Sequence, residues 1–142
     1  SWKEVLDSFD ISRFVGTDRN DFRGSDFAGI ATAEDRTMIV AATGPSRDEL
    51  RNVQLLIRIR TRQDPAHAQR VREAAAICAT VTRDNVNHAE VVTWVKNYLA
   101  TEQASEPIYR NGWQLTFSGP GAEGKEDRKN FIGNAVKIEL SR

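Results

Sequence analysis

Cysteine is nearly missing from this chain of 142 residues: Cys78 is the only one. An internal disulfide is therefore impossible, and neither a disulfide scaffold nor a cysteine-based structural zinc site can be built. An excess of one charge is missing too, because 20 Lys and Arg balance 20 Asp and Glu for a net charge of +0. Nucleic-acid binding normally rests on a basic surplus gathered into a patch, so no nucleic-acid partner is expected. Long hydrophobic runs are absent as well. The most apolar stretches, 38–42 and 53–59, have strand length, short of the roughly 18 residues a membrane helix needs, and no membrane-spanning segment is expected.

What remains is the composition of an ordinary globular domain, 39% hydrophobic and 28% charged, at a length that suits one core. Residues 1–142 are accordingly read as a single domain. The chain opens Ser1-Trp2-Lys3-Glu4 rather than on Met, which reads as a processed or trimmed piece from which a targeting signal or anchor could have been cut. Fifteen of the twenty basic residues are arginine and alanine is frequent, a bias that suits a GC-rich bacterial genome.

Hydrophobic periodicity divides the chain into elements. Trp2, Val5, Leu6 and Phe9 fall at helical spacing, which predicts a short amphipathic helix ending near Asp10 and lying on the sheet that follows. Val15 to Asp26 has glycines, aspartates and little period, and reads as a loop. Gly29–Ala33, Thr37–Ala42 and Val53–Arg60 read as three antiparallel strands in a meander, with Val53, Leu55, Ile57 and Ile59 on one face of the third. The period then changes to 3.6. Asp64-Pro65 supplies an N-cap followed by proline at the first helical position, and Val71, Ala75, Cys78 and Val81 form the apolar stripe. After a break at Arg83-Asp84-Asn85, Asn87 and Glu90 resemble a capping box ahead of Val91, Trp94, Val95, Tyr98 and Leu99. Trp113–Phe117 and Ala135–Leu140 alternate as strands that should pair across the polar stretch Ser118–Asn134. The expected fold is α+β: an antiparallel sheet of about five strands, with an N-terminal helix and two central helices on one face, in the order α-βββ-αα-ββ.

The motifs that carry chemistry are few. Gly119-Pro120-Gly121-Ala122-Glu123-Gly124-Lys125 has the glycine and lysine spacing of a phosphate-cradling loop. Glu126 stands where such a loop needs Ser or Thr for Mg²⁺, and no apolar-periodic helix follows to offer its N-terminus, so a hairpin loop is the better reading. Arg58, Arg60 and Arg62 share the face opposite Ile57 and Ile59, a row that can take phosphate or carboxylate in bidentate fashion or stand as a solvated sheet face. His67 and His88 each sit in the first turn of a helix, too far apart and too poorly supported for a metal or acid–base site. Cys78 lies on an apolar stripe and reads as a buried, inert thiol. Trp94 and Tyr98 have core spacing. Trp113, directly after Asn111-Gly112, is the aromatic expected to come nearest the surface; its alternating strand favours a place in the core, and a partly exposed platform on which a sugar or peptide stacks is the alternative. No catalytic set, cofactor site or metal site emerges, and Arg58, Arg60, Arg62 and Trp113 are the candidate binding residues.

From Val53 to Leu140 the pattern resembles small α+β domains of exported or lipid-anchored bacterial proteins: an aliphatic strand, two helices with a tryptophan in the second, a Gly-Trp-Gln-Leu-Thr-Phe-Ser strand and a closing Val-Lys-Ile-Glu-Leu strand. The resemblance implies a non-catalytic accessory or binding module outside the cytoplasm, periplasmic or membrane-anchored, whose partner is another protein or an anionic ligand. The element order is also similar to that of dimeric bacterial secretion chaperones, although this chain has an extra central helix and none after its last strand. That alternative implies a two-fold dimer with exposed apolar grooves, whereas the first allows a monomer with no large patch. An enzyme is the third class; it would need a cleft with convergent polar groups, to be sought around 17–25 and 118–134.

Overall fold

The computed structural model describes residues 1–7, 14–20, 27–33, 37–59, 65–85, 88–101, 106–118 and 134–142. The elements are α1 (Trp2–Asp7), β1 (Phe14–Asn20), β2 (Phe27–Ala33), β3 (Met38–Gly44), β4 (Asn52–Ile59), α2 (Pro65–Thr82), α3 (His88–Thr101), β5 (Ile108–Arg110), β6 (Trp113–Ser118) and β7 (Asn134–Ser141). The class is α+β, and the sheet is antiparallel throughout with the order β1-β2-β3-β4-β7-β6-β5. The expected meander of three strands is a meander of four, and the C-terminal pair is a trio.

Period-two alternation sends one set of side chains to a shared face. Val53, Leu55 and Ile57 of β4, Val136, Ile138 and Leu140 of β7, and Leu115 and Phe117 of β6 are all fully buried there. In register, Leu55 faces Ile138 and Phe117 faces Ile138 from the other side, so the seam between the two halves of the chain runs through the middle of the core. Helices α2 and α3 cover this face. Val71, Ala75 and Cys78 of the expected stripe are buried, with Val81 packed at its edge, and Val91 and Val95 do the same for α3. Trp94 of α3 lies against Phe117 of β6, ring centroids 4.5 Å apart.

Helix α1 packs on the same side, as its spacing predicts. Trp2 is buried beside Phe27, ring centroids 5.9 Å apart, over Gly29 of β2. A Cβ on Gly29 would lie 2.7 Å from the Trp2 indole, so glycine is what lets the ring approach the strand. The Trp2 amide donates to the Arg47 carbonyl at 2.8 Å and the Arg142 amide to the Arg51 carbonyl at 3.0 Å, so both ends of the described chain fasten to the β3–β4 turn.

The opposite face of the sheet carries half-buried and exposed side chains. Ile39 and Leu56 sit in one cross-strand row with Thr32 and Lys137, and Ile30, 46% exposed, shares the next row with Ala41, Gln54 and Glu139. Gln54 donates to Glu139 at 2.9 Å, and Lys137 pairs with the same carboxylate at 3.6 Å.

Candidate functional site

One hollow of ≈ 280 Å³ opens at the end of the sheet where the β3–β4 turn, the C-terminus of α2, the β5–β6 turn and Arg142 meet. Its construction starts from Asn111-Gly112. Both residues have positive φ, 49° and 81°, the left-handed pair that a two-residue hairpin of the mirror-image type requires, and Arg110 pairs with Trp113 across it. The turn aims the Asn111 side chain at the end of α2, where its Nδ2 donates to the carbonyls of Thr82 at 3.0 Å and Arg83 at 3.1 Å. These carbonyls belong to the helix end, where the backbone leaves acceptors without intrahelical donors.

Arg83 is the residue just beyond α2, and it too is left-handed, with φ of 54°. Glycine usually takes that position because a Cβ makes it unfavourable. The exposed Arg83 lines the hollow. Its guanidinium forms no ion pair or hydrogen bond among the described residues, and it acts on Glu4 only weakly. The Glu4 carboxyl is held below its ordinary value chiefly by the Ser1 ammonium, then by the Ser1 hydroxyl, with Arg83 contributing least.

Trp113 forms an inner wall. The structure places it on the core side of β6, 6% exposed, the core position that its place in an alternating strand favours, and the Arg142 guanidinium carbon lies over its ring, 5.9 Å from the centroid. Burial follows from alternation, since Trp113, Leu115 and Phe117 share one side of the strand. Among the described residues the exposed aromatic is Tyr109, at 70%. Two acids complete the rim. Glu49 is tied to Arg51 at 3.1 Å, and the exposed Asp48 stands beside it.

The remaining candidates separate. Arg58 lies half-buried on the open face of β4, its amide donating to the Thr37 carbonyl at 2.8 Å and its position paired with Ala135 of β7. Arg60 and Arg62 lie outside the described residues, as do the glycine-rich stretch 119–125 and the side chains of His67 and His88. Arg58 does not line the hollow, so it and Trp113 do not converge. Cys78 is buried in α2, and desolvation pushes its thiol up to about 12, which leaves it protonated and unreactive at neutral pH. Among the described residues, no group of three or more His, Cys, Asp or Glu is placed to hold a metal ion.

Sequence reasoning missed a second polar cluster. Arg70 and Glu73 of α2, 5% and 4% exposed, bond at 2.6 Å; Arg70 Nε also donates to Thr37 Oγ1 at 2.8 Å, and Gln69 donates to Glu73 at 3.1 Å. These bonds make the cluster a clamp between α2 and the start of β3.

No helix among the described residues is long and apolar enough to cross a membrane. Comparison of the chain with protein-family models, curated proteins and solved structures found no match.

Proposed function

We propose that the chain is a non-catalytic binding domain, an accessory part of an exported bacterial protein, and that it takes its ligand at the hollow beside Trp113. The observation that carries this reading is convergence. Asp48, Arg83, Asn111 and Arg142 come from four separate segments and meet around one recess, while the buried Arg70–Glu73 pair and the Cys78 thiol are enclosed in the core. Recesses with a few convergent polar groups are where small ligands bind. The bacterial and exported setting is supported by the likeness of 53–140 to small extracytoplasmic domains and by the preference for arginine over lysine.

The test is a ligand screen by amide NMR with pools of small acids, sugars and short peptides. Saturable shifts centred on Asp48, Arg83, Asn111 and Trp113, with the ligand recovered unchanged, are expected. Shifts confined to other surfaces would remove the hollow as the site, and chemical conversion of a ligand would replace the binding domain with an enzyme.

A second reading, a protein-binding homodimer of the secretion-chaperone kind, is favoured by Ile30, Ile39 and Leu56 on the open face of the sheet. Apolar side chains grouped on such a face are what a partner surface covers.

A further inference from the structure

Two arginines line the hollow whose guanidinium groups form no ion pair among the described residues. Arg83 has no ion pair or hydrogen bond through its side chain among the described residues, and the side-chain contact of Arg142 is its seat over the Trp113 ring. Neither is an accident of an exposed surface. Arg83 occupies a left-handed position at φ 54° where glycine would fit without strain, and the Asn111 side chain fixes that bend by taking the carbonyls on both sides of it. Arg142 is anchored by its own amide on the Arg51 carbonyl at 3.0 Å, which brings its side chain back over β6. A guanidinium held near an aromatic ring keeps its charge beside the hollow, and guanidinium groups pair with the two oxygens of a carboxylate.

We propose that Arg83 and Arg142 bind a carboxylate in this hollow, Arg142 presenting its guanidinium from the Trp113 ring and Arg83 closing from the end of α2. Resting on the reading of the hollow as the binding site, this names its ligand class. Asp48 on the rim decides for a single negative charge over a polyanion such as a phosphate ester, because a second charge would be brought up against an exposed carboxylate. Asp48 is also an acceptor for an N–H or O–H next to the bound carboxylate. A free small acid and the C-terminus of a peptide both offer this chemistry.

The experiment follows the Trp113 indole N–H by NMR, assigned with Trp113→Phe, while acetate, N-acetyl-tetraalanine and the C-terminal amide of that peptide are each titrated to about 10 mM. Saturable shifts with a free acid, absent with the amide and weakened at least tenfold in both Arg83→Gly and Arg142→Ala, are expected. A peptide acid at least tenfold tighter than acetate assigns a chain terminus, and equal affinity assigns a small acid. Arg83→Gly relieves the left-handed strain, so its loss of binding is read on a chain whose urea midpoint is unchanged or higher. Equal binding of the amide, indifference to both substitutions, or no saturable response to any carboxylate overturns the proposal. If other ligands of the NMR screen still shift Asn111 and Trp113, the hollow stands and the carboxylate alone falls; if none does, both fall.

Discussion

Asn111 shows how much one side chain holds in place. Its amide bonds two carbonyls at the end of α2 while its own backbone is left-handed, a conformation asparagine tolerates better than most residues. Asn111→Ala removes both hydrogen bonds and adds strain, with an expected loss of about 1–2 kcal/mol in urea denaturation. Asn111→Gly keeps the bend and should lose less. Cys78 gives a prediction of the opposite kind, one visible only through pH. Its folded value of about 12 stands above the ordinary 9.0 because burial disfavours the thiolate. Above pH 9 the unfolded chain gives up this proton while the folded chain keeps it, so the contribution is fully present below pH 9 and is lost as the pH climbs toward 12. The stability difference between the native sequence and Cys78→Ala should therefore shift against the native sequence from pH 8 to pH 10.5. Iodoacetamide at pH 8 should label Cys78 only after unfolding.

Whole elements were legible in the sequence where they bury a regular stripe. Strands β2, β3, β4, β6 and β7 and both long helices announce themselves through alternation or a 3.6 period, because each gives one full face to the core. β1 and β5 do not. Phe14–Asn20 holds Gly16, Asp18 and Asn20 in an edge strand paired on one side only, and edge strands accept residues that central strands reject. Ile108–Arg110 is three residues long, too short for any period, although Asn111-Gly112 marks its hairpin. The site was half visible for a related reason: Trp113 stands out, but Arg83, Asn111 and Arg142 come together through backbone bends that leave no spacing to read. The α2 clamp escaped notice as an ordinary i,i+3 pair on a polar-looking helix turn. Arg70→Ala strands Glu73 in the core and should cost about 3–5 kcal/mol, whereas replacing both with Met and Leu should recover most of that, as chemical denaturation of the single and double variants would show.

At the scale of the whole molecule, helices occupy one face of a seven-stranded sheet and leave the other with an apolar stretch from Ile30 to Leu56. If that stretch is a dimer surface, light scattering should give about twice the 15.9 kDa chain mass at all but the lowest concentrations, and Ile30→Glu should return the single-chain mass. A constant mass near 15.9 kDa at every concentration would leave the hollow as the recognition surface.

The strand order has a consequence for how the chain comes to be folded. β7, the last of the seven strands in sequence, is fifth from one edge and third from the other, and Val53 of β4 meets Leu140 across 87 positions of chain. Until synthesis has passed Ser141, the first four strands expose an unsatisfied β4 edge and the β5–β6 hairpin has no sheet to join. The nascent chain thus carries an open, aliphatic edge from the completion of β4 until β7 has been made, which is the stage at which strand pairing with a neighbouring chain competes with folding.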